Sequence, residues 1–142
     1  MELNNKMVLT FSALSQNESF ARTAVSCFAL SLNPSVSQIA DIKTAVSEAV
    51  TNSIVHAYPN EKGDIRIETE INEGKIHIKI IDFGVGIDNV NQALEPFYTT
   101  KPDDERSGMG FTIMKSFMDD IKVESKVGSG TVIYMVKNIA NA

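Results

Sequence analysis

Four polar residues recur at intervals of four within one stretch of the chain: Thr44, Glu48, Asn52 and His56. On a helix they would share one edge, because residues four apart lie above one another on its surface. A carboxylate one turn before a carboxamide suits phosphoryl transfer, since Glu can accept the proton of an attacking hydroxyl. The Asn oxygen is a ligand type that Mg²⁺ prefers. The alternative is an edge that faces only solvent, as most charged side chains do.

Two glycine-containing segments are further candidates for binding chemistry. The first, DFGVG from Asp82, follows a strand pattern. An aspartate there can accept a hydrogen bond from an exocyclic amine such as that of adenine, and Gly84 and Gly86 permit close backbone approach to a ligand. The second, SGMGF from Ser107, precedes a helical pattern, and the free N–H groups at a helix start favour phosphate. Each segment alone is also typical of an ordinary turn or a flexible loop.

Hydrophobic periodicity predicts the elements that must position these residues. In order, they are a strand at 6–11, helices at about 15–32 and 37–57, strands at 65–71 and 76–80, a helix at 111–118, and strands at 121–126 and 131–136. The long connection from 82 to 110 predicts a functional lid at about 96–110. The order indicates an α/β (α+β) two-layer sandwich, with a mixed, mostly antiparallel sheet and helices on one face.

The first helix is expected to begin at a capping box formed by Ser15 and Glu18. Its buried stripe is predicted to comprise Phe20, Ala24, Phe28 and Leu32. Arg22 lies two residues off that stripe, so its guanidinium is expected to point outward. A solvated arginine is one interpretation, and a protein-binding surface, where Arg is enriched, is the other.

Composition narrows the class of protein. The 142 residues fit one domain spanning 1–142. A net charge of −5 without a basic patch argues against direct nucleic-acid binding. The absence of a long apolar run argues against a membrane span, and the single cysteine, Cys27, excludes an internal disulfide. A cytoplasmic location is therefore expected. P-loop and eukaryotic-type kinase signatures are absent.

The three segments occur together, and in one order that resembles the ATPase superfamily shared by gyrase, Hsp90, histidine kinases and MutL. EAVTNSIVHA from Glu48 is similar to the N box of that superfamily, and DFGVG and SGMGF are similar to its two glycine boxes. The resemblance implies a Bergerat-type fold, with ATP held between the helices and a mobile lid. FSALSQNESFAR from Phe11 and SEAVTNSIVHAY from Ser47 are closer still to the anti-sigma F-type kinases of sporulation.

That resemblance implies a serine/threonine kinase that also inhibits a sigma factor. Members of the family bind a sporulation sigma factor, phosphorylate a serine of an anti-anti-sigma factor using ATP and Mg²⁺, and usually work as homodimers. Alternatives are a general-stress anti-sigma B-type kinase, a non-catalytic module for which ATP is only a switch, and a detached catalytic domain of a histidine kinase. A carboxylate at position 48 favours the kinase, because a switch does not need a base.

The resemblance also implies a role for each matching residue. Glu48 resembles the general base, Asn52 the Mg²⁺ ligand and Asp82 the adenine-binding aspartate. Arg106 is expected to meet the γ-phosphate, and Arg22 to lie on the partner-binding helix. The other nucleotide-binding positions implied are Gly84, Gly86, Thr99, Thr100, Lys101, Gly108, Met109, Gly110 and Thr131.

Overall fold

The described part of the chain folds into a five-stranded antiparallel sheet, and helices cover one face of this sheet. The computed structural model describes residues 3–59, 62–94 and 110–139. The strands are β1 (Asn5–Ser12), β2 (Asp64–Asn72), β3 (Lys75–Asp82), β4 (Asp120–Lys126) and β5 (Gly130–Asn138), and the helices are α1 (Gln16–Ala29), α2 (Val36–Asn52), α3 (Val90–Ala93) and α4 (Gly110–Phe117). A 3₁₀ turn, Leu30–Leu32, follows α1, and a π-helical turn, Ser53–Ala57, extends α2.

The sheet places a straight row of apolar side chains beneath the helices. Its strand order is β1-β2-β3-β5-β4, and each of the four junctions is antiparallel. Side chains alternate between the faces of a strand, and one row across all five strands consists of Leu9, Ile67, Ile80, Ile133 and Val123. All five belong to the core or pack against it. The two-layer α/β sandwich is confirmed, and the described sheet is antiparallel throughout rather than mixed.

The β2–β3 hairpin closes through the smallest available turn. Glu73 and Gly74 both have positive φ, 51° and 73°. Two such residues form the turn whose twist matches that of the flanking strands. This turn sets the register, which pairs the inward Ile67 and Ile71 of β2 with Ile80 and Ile76 of β3. The third inward isoleucine of β2, Ile65, lies opposite Asp82.

Helix α1 differs from its predicted form at its start and in its buried face. Ser15 has helical backbone angles and makes no side-chain cap, so the predicted capping box with Glu18 is wrong. Phe20 is 57% exposed, so its assignment to the core is also wrong. The fully buried stripe begins one residue later and consists of Ala21, Val25 and Ala29, whose small side chains allow α1 to approach its neighbours closely.

Helix α2 is the central helix of the layer and has a well-defined start. Its capping box lies at Ser35 and Gln38: the Ser35 hydroxyl accepts from the Gln38 N–H, and the Gln38 side chain accepts from the Ser35 N–H. The predicted helix at 37–57 corresponds to α2 together with the π-helical turn. Its inward face is fully buried at Ile42, Val46 and Val50.

The long connection after β3 contains one short helix, α3, that the sequence pattern does not indicate. The predicted lid lies almost entirely outside the described residues, which resume at Gly110. At that point α4 begins, close to its predicted start.

A hydroxyl buried in the sheet provides a test of the core. Thr69 is 2% exposed, and among the described residues its Oγ1 has no hydrogen-bond partner. Burying an unpaired hydroxyl costs about 1–3 kcal/mol. We therefore expect Thr69→Val to raise the free energy of unfolding by about 1 kcal/mol, measured by chemical denaturation. Thr10→Val, the same change at an exposed position of β1, should leave it nearly unchanged. A lower stability for Thr69→Val would contradict this account of the core.

Candidate nucleotide site

The side chain of Asp82 is buried at the end of β3, where three other segments donate hydrogen bonds to it. It is 6% exposed. Oδ1 accepts from the Gly84 N–H at 3.1 Å and from the Thr131 N–H at 3.2 Å. Oδ2 accepts from the Ser53 hydroxyl at 3.2 Å. The carboxylate is thus fixed in direction by the π-helical turn, by the loop after β3 and by β5.

Burial and hydrogen bonding act in opposite directions on this carboxyl group. Loss of solvent raises the pKa of Asp82 above its ordinary value, while the donors Gly84, Ser53 and Thr131 counteract part of that rise. An ionised carboxylate accepts about four hydrogen bonds, and the three described here leave capacity for one more. Asp82 can therefore accept a hydrogen bond from an amine group of a ligand.

The π-helical turn and the loop after β3 lie in direct contact. The Val85 N–H donates to the Ala57 carbonyl oxygen at 2.9 Å. A Cβ atom at Gly84 would overlap that same oxygen, so only glycine allows this approach. Gly86 has a φ of +78°, a conformation that glycine adopts without strain. Gly84 therefore lets the loop after β3 pack against the π-helical turn, and Gly86 lets it pack against Lys126. The contact of both glycines with a nucleotide stays a prediction.

Tyr58 fixes the chain on the other side of Asp82. Its hydroxyl donates to the Asp64 carbonyl oxygen at 2.6 Å and accepts from the Phe83 N–H at 2.8 Å. Burial is the main cause that raises the pKa of Tyr58, so the phenol remains a neutral donor. One side chain thereby joins the end of the π-helical turn, the start of β2 and the residue that follows Asp82.

Ser125 holds together the strands beside the aspartate. Its hydroxyl lies 2.7 Å from Oγ1 of Thr131 and accepts from the Ile87 N–H at 2.7 Å. It donates to the Gly130 carbonyl oxygen at 3.0 Å. An open groove of about 320 Å³ runs along this region, and its lining includes Asp82 and Thr131.

The other end of the site lies where the polar edge of α2 meets the start of α4. Glu48 and Asn52 are half-buried, so the predicted alternative of a purely solvated edge is wrong. A Cβ atom added at Gly110 would lie 3.3 Å from both Oδ1 and Nδ2 of Asn52 and 3.5 Å from Oε2 of Glu48. A carboxylate, a carboxamide and the start of a helix therefore converge on one small volume.

Adjacent residues of one helix connect the two ends. Asn52 faces Gly110, and the next residue, Ser53, donates to Asp82. The structure therefore brings six predicted site residues into two adjoining clusters: Glu48, Asn52 and Gly110 in one, and Asp82, Gly84 and Thr131 in the other. The predicted lid positions Thr99, Thr100, Lys101, Arg106, Gly108 and Met109 lie outside the described residues.

Arg22 lies on α1, outside the group of residues around Asp82 and Glu48, and contacts Glu18. Its Nη1 is 3.5 Å from Oε1 of Glu18, and 40% of its side chain is exposed. The same Glu18 oxygen accepts from the Ser47 hydroxyl at 2.8 Å. Arg22 therefore presents half of its side chain to solvent while Glu18 ties α1 to α2.

Sequence reasoning missed three residues that support Asp82: Ser53, Tyr58 and Ser125. Ser53 gave a usable signal, because it is a polar residue within the apolar spacing of α2 and so required a buried partner. Tyr58 and Ser125 gave none, since their partners lie 25 and 38 residues away along the chain.

The described residues also limit the kind of cation site that can exist. Within residues 3–59, 62–94 and 110–139, no group of three or more His, Cys, Asp or Glu side chains could hold a metal ion. Mg²⁺ does not need such a group, because it commonly uses one or two protein oxygens together with substrate phosphates. The Asn52 oxygen beside Glu48 fits that pattern. No helix in the described part of the chain is long and apolar enough to cross a membrane.

Comparison with known proteins identifies relatives across almost the whole chain. The sequence profile of the histidine kinase-like ATPase domain matches residues 11–137. The chain is 56% identical to the anti-sigma F factor of Clostridium beijerinckii, over 94% of each chain. It is 55% identical to the anti-sigma F factor of Caldanaerobacter subterraneus, over 98% of this chain and 97% of that protein.

Solved structures confirm the fold. The RsbU and RsbW domains of a Mycobacterium tuberculosis protein match with a TM-score of 0.68 and 17% identity, over 95% of this chain and 32% of that one. The catalytic domain of the histidine kinase ThkA matches with a TM-score of 0.58 and 17% identity, over 94% of this chain and 97% of that one. From the profile match over most of its length and the identity to these relatives, the chain belongs to the anti-sigma F factor family of histidine kinase-like ATPase domains.

Proposed function

We propose that this protein is an ATP-dependent serine kinase that also binds and inhibits a sporulation sigma factor. The observation that carries the kinase activity is the position of Glu48, a carboxylate beside the first residue of α4 and one turn from Asn52. The names of the relatives support a sigma factor as one partner and favour the F type over the general-stress B type.

In this proposal Asp82 recognises the base of ATP. The carboxylate accepts from the exocyclic amine of adenine, while its other hydrogen bonds, from Ser53, Gly84 and Thr131, keep it aimed. The phosphates extend toward Gly110, where free N–H groups and the helix dipole favour negative charge. Asn52 supplies an oxygen ligand to Mg²⁺, which would neutralise phosphate charge when bound. Thr99, Thr100, Lys101, Gly108 and Met109 complete the lid side.

Glu48 is the general base for transfer to the partner. The serine hydroxyl of an anti-anti-sigma factor attacks the γ-phosphorus, and its proton passes to the Glu48 carboxylate. The bond from the γ-phosphorus to the bridging oxygen breaks, and ADP leaves. Arg106 stabilises the charge on the transferred group, because a guanidinium pairs strongly with phosphate oxygens.

The exposed side of α1 is the partner-binding surface in this proposal. Phe20 on α1 and Leu14 just before it are 57% and 52% exposed, and the Arg22 side chain on the same helix is 40% exposed. Aromatic residues and arginine are both enriched in protein interfaces. Homodimer formation, which the family resemblance implies, belongs to the same proposal.

The competing function is a binding module for which ATP acts only as a switch. Such a protein would keep Asp82 and the lid but would not need a carboxylate at position 48. The two functions therefore differ in what the loss of that carboxylate does.

We expect Glu48→Gln to reduce phosphoryl transfer by about 10²- to 10⁴-fold, the usual contribution of a general base. Nucleotide affinity should remain close to that of the wild type, because the amide keeps the size of the carboxylate. Transfer from radiolabelled ATP to an anti-anti-sigma protein measures the first quantity, and calorimetry measures the second.

Two further variants support the interpretation of that result. Glu70→Gln, the same change at an exposed position of β2, should leave transfer unaffected. Asn52→Ala should weaken nucleotide binding in Mg²⁺ more than in a chelator. Transfer at the wild-type rate by Glu48→Gln would reject the base assignment, whereas a wild-type protein that binds ATP but transfers no phosphate would favour the switch.

Asp82→Asn should lower ATP affinity by about 10- to 100-fold, the range expected for one hydrogen bond to a charged group. The amide still accepts from Gly84 and Thr131, but it presents an N–H group where adenine offers one as well. Inosine triphosphate lacks the exocyclic amine, so the wild type should bind it more weakly than ATP. In this variant the two affinities should become similar. Asp64→Asn, at an exposed position, is the matched control. A variant that still prefers ATP as strongly as the wild type does would remove Asp82 from the adenine site.

Arg22→Glu should weaken binding to the sigma factor, to the anti-anti-sigma factor, or to both, without changing ATP affinity. Its contact with Glu18 is a partly buried i,i+4 pair with a long N–O distance of 3.5 Å. Pairs with this spacing contribute only about 0.3–0.5 kcal/mol, so the fold should tolerate the change. Surface plasmon resonance against each partner is the measurement, with Lys43→Glu on the exposed side of α2 as control. Equal partner binding by both variants and the wild type would make Arg22 an ordinary solvated arginine.

A further inference from the structure

A lysine lies on the buried face of β5, between the helices. Thr131, Ile133, Met135 and Lys137 alternate along that face, and Lys137 is only 8% exposed. Its Nζ donates to the Phe117 carbonyl oxygen at 2.6 Å and lies 3.2 Å from Oδ2 of Asp41. Neither the nucleotide site nor the partner surface uses this residue.

The two partners of Lys137 belong to different helices. Phe117 is the last residue of α4, where backbone carbonyls have no partner within the helix. Asp41 lies on α2. A buried ammonium group must be paired and hydrogen-bonded, so movement of either helix away from Lys137 would leave a charge or a carbonyl without its partner. Lys137 therefore resists sliding of α4 along α2.

The spacing of the contacts carries this constraint to the far end of α4. Asp41 precedes Glu48 by two helical turns on the same side of α2. Gly110 precedes Phe117 by the same number of residues on α4. The end of α4 lies near Asp41 and its beginning near Glu48, so the two helices run antiparallel with matched contacts at both ends.

We propose that Lys137 is a positioning residue for the phosphate end of the nucleotide site, because it sets where α4 begins relative to Glu48 and Asn52. This inference rests on the proposed function. A slip of α4 by one residue would move Gly110 by about 1.5 Å along the axis. The contacts of Asp82, which involve neither α4 nor Lys137, would remain in place.

Because the adenine end and the phosphate end of the site depend on different contacts, a role of Lys137 in positioning α4 can be distinguished from a general effect on the stability of the fold. Adenosine carries the base but no phosphates, whereas ATP uses both ends of the site. Loss of Lys137 should therefore weaken ATP much more than adenosine, while a merely less stable protein would lose affinity for both in parallel.

The test is the ratio of the ATP to the adenosine dissociation constant, measured by calorimetry on the full chain in Mg²⁺. Lys137→Met, which keeps the length of the side chain and removes the charge, should raise this ratio about tenfold or more, as expected for the loss of charge-assisted hydrogen bonds to phosphate. Asp41→Asn keeps an oxygen for Nζ and should raise the ratio by less. Lys122→Met, with 67% of the lysine side chain exposed on β4, is the matched control and should leave it unchanged.

Each outcome decides the inference. An unchanged ratio in a folded Lys137→Met protein that binds ATP would overturn the positioning role and leave the proposed function intact. If circular dichroism shows that Lys137→Met is unfolded, Asp41→Asn decides, and an unchanged ratio there has the same meaning. A wild-type protein that binds no ATP would overturn the proposed function, and the inference with it.

Discussion

The buried carboxylate of Asp82 is the interaction on which the architecture around the site depends. Taking a carboxylate out of water is unfavourable unless donors replace the solvent, and here the donors come from Ser53, Gly84 and Thr131. Those residues belong to the helical layer, to a loop and to the far strand of the β3–β5 pair. Satisfying one side chain therefore fixes how the end of α2, the glycine segment and the sheet meet. A ligand that donates to the remaining acceptor position encounters a group already aimed at it, with little reorganisation required.

Helix α2 connects the core with the site, because one side of the helix is buried in the core and another carries the polar residues of the site. Its fully buried residues, such as Val46 and Val50, pack in the core, while its polar edge is only half-buried. Asn52 and Ser53 are neighbours in the chain but face the start of α4 and Asp82, respectively. Any force that rotates α2 about its axis must disturb both ends of the site together. Glu18 on α1 accepts a hydrogen bond from Ser47 on the same helix, so α1 is joined to α2 next to the polar edge that carries Glu48.

The sequence predicts the strands and the family better than it predicts helix faces. Alternating isoleucines in β2 and β3 give a strong period-two signal, so the hairpin and its turn could be predicted. The buried stripe of α1 could not, because Ala21 and Ala29 contrast weakly with their neighbours while the bulky Phe20 resembles a core residue. In the site, Glu48, Asn52 and Asp82 could be found from local spacing and family resemblance. The residues that orient them, Ser53, Tyr58, Ser125 and Lys137, act over long separations in the chain, and only the polar residue in an apolar stripe, as for Ser53 and Lys137, gives a local sign of them.

The π-helical turn at Ser53–Ala57 has an evolutionary consequence. Such a turn contains about one residue more than an α-helical turn, because its hydrogen bonds join residues five apart rather than four. Each residue of an α-helix is rotated by about 100° from the last, and deleting one position here would turn every later residue of the segment by that amount. The Ala57 carbonyl oxygen would then no longer accept from the Val85 N–H. The Tyr58 side chain would also point away from its partners, Asp64 and Phe83. The length of this segment is therefore expected to resist change, so insertions and deletions should be rarer there than in the loop that follows it.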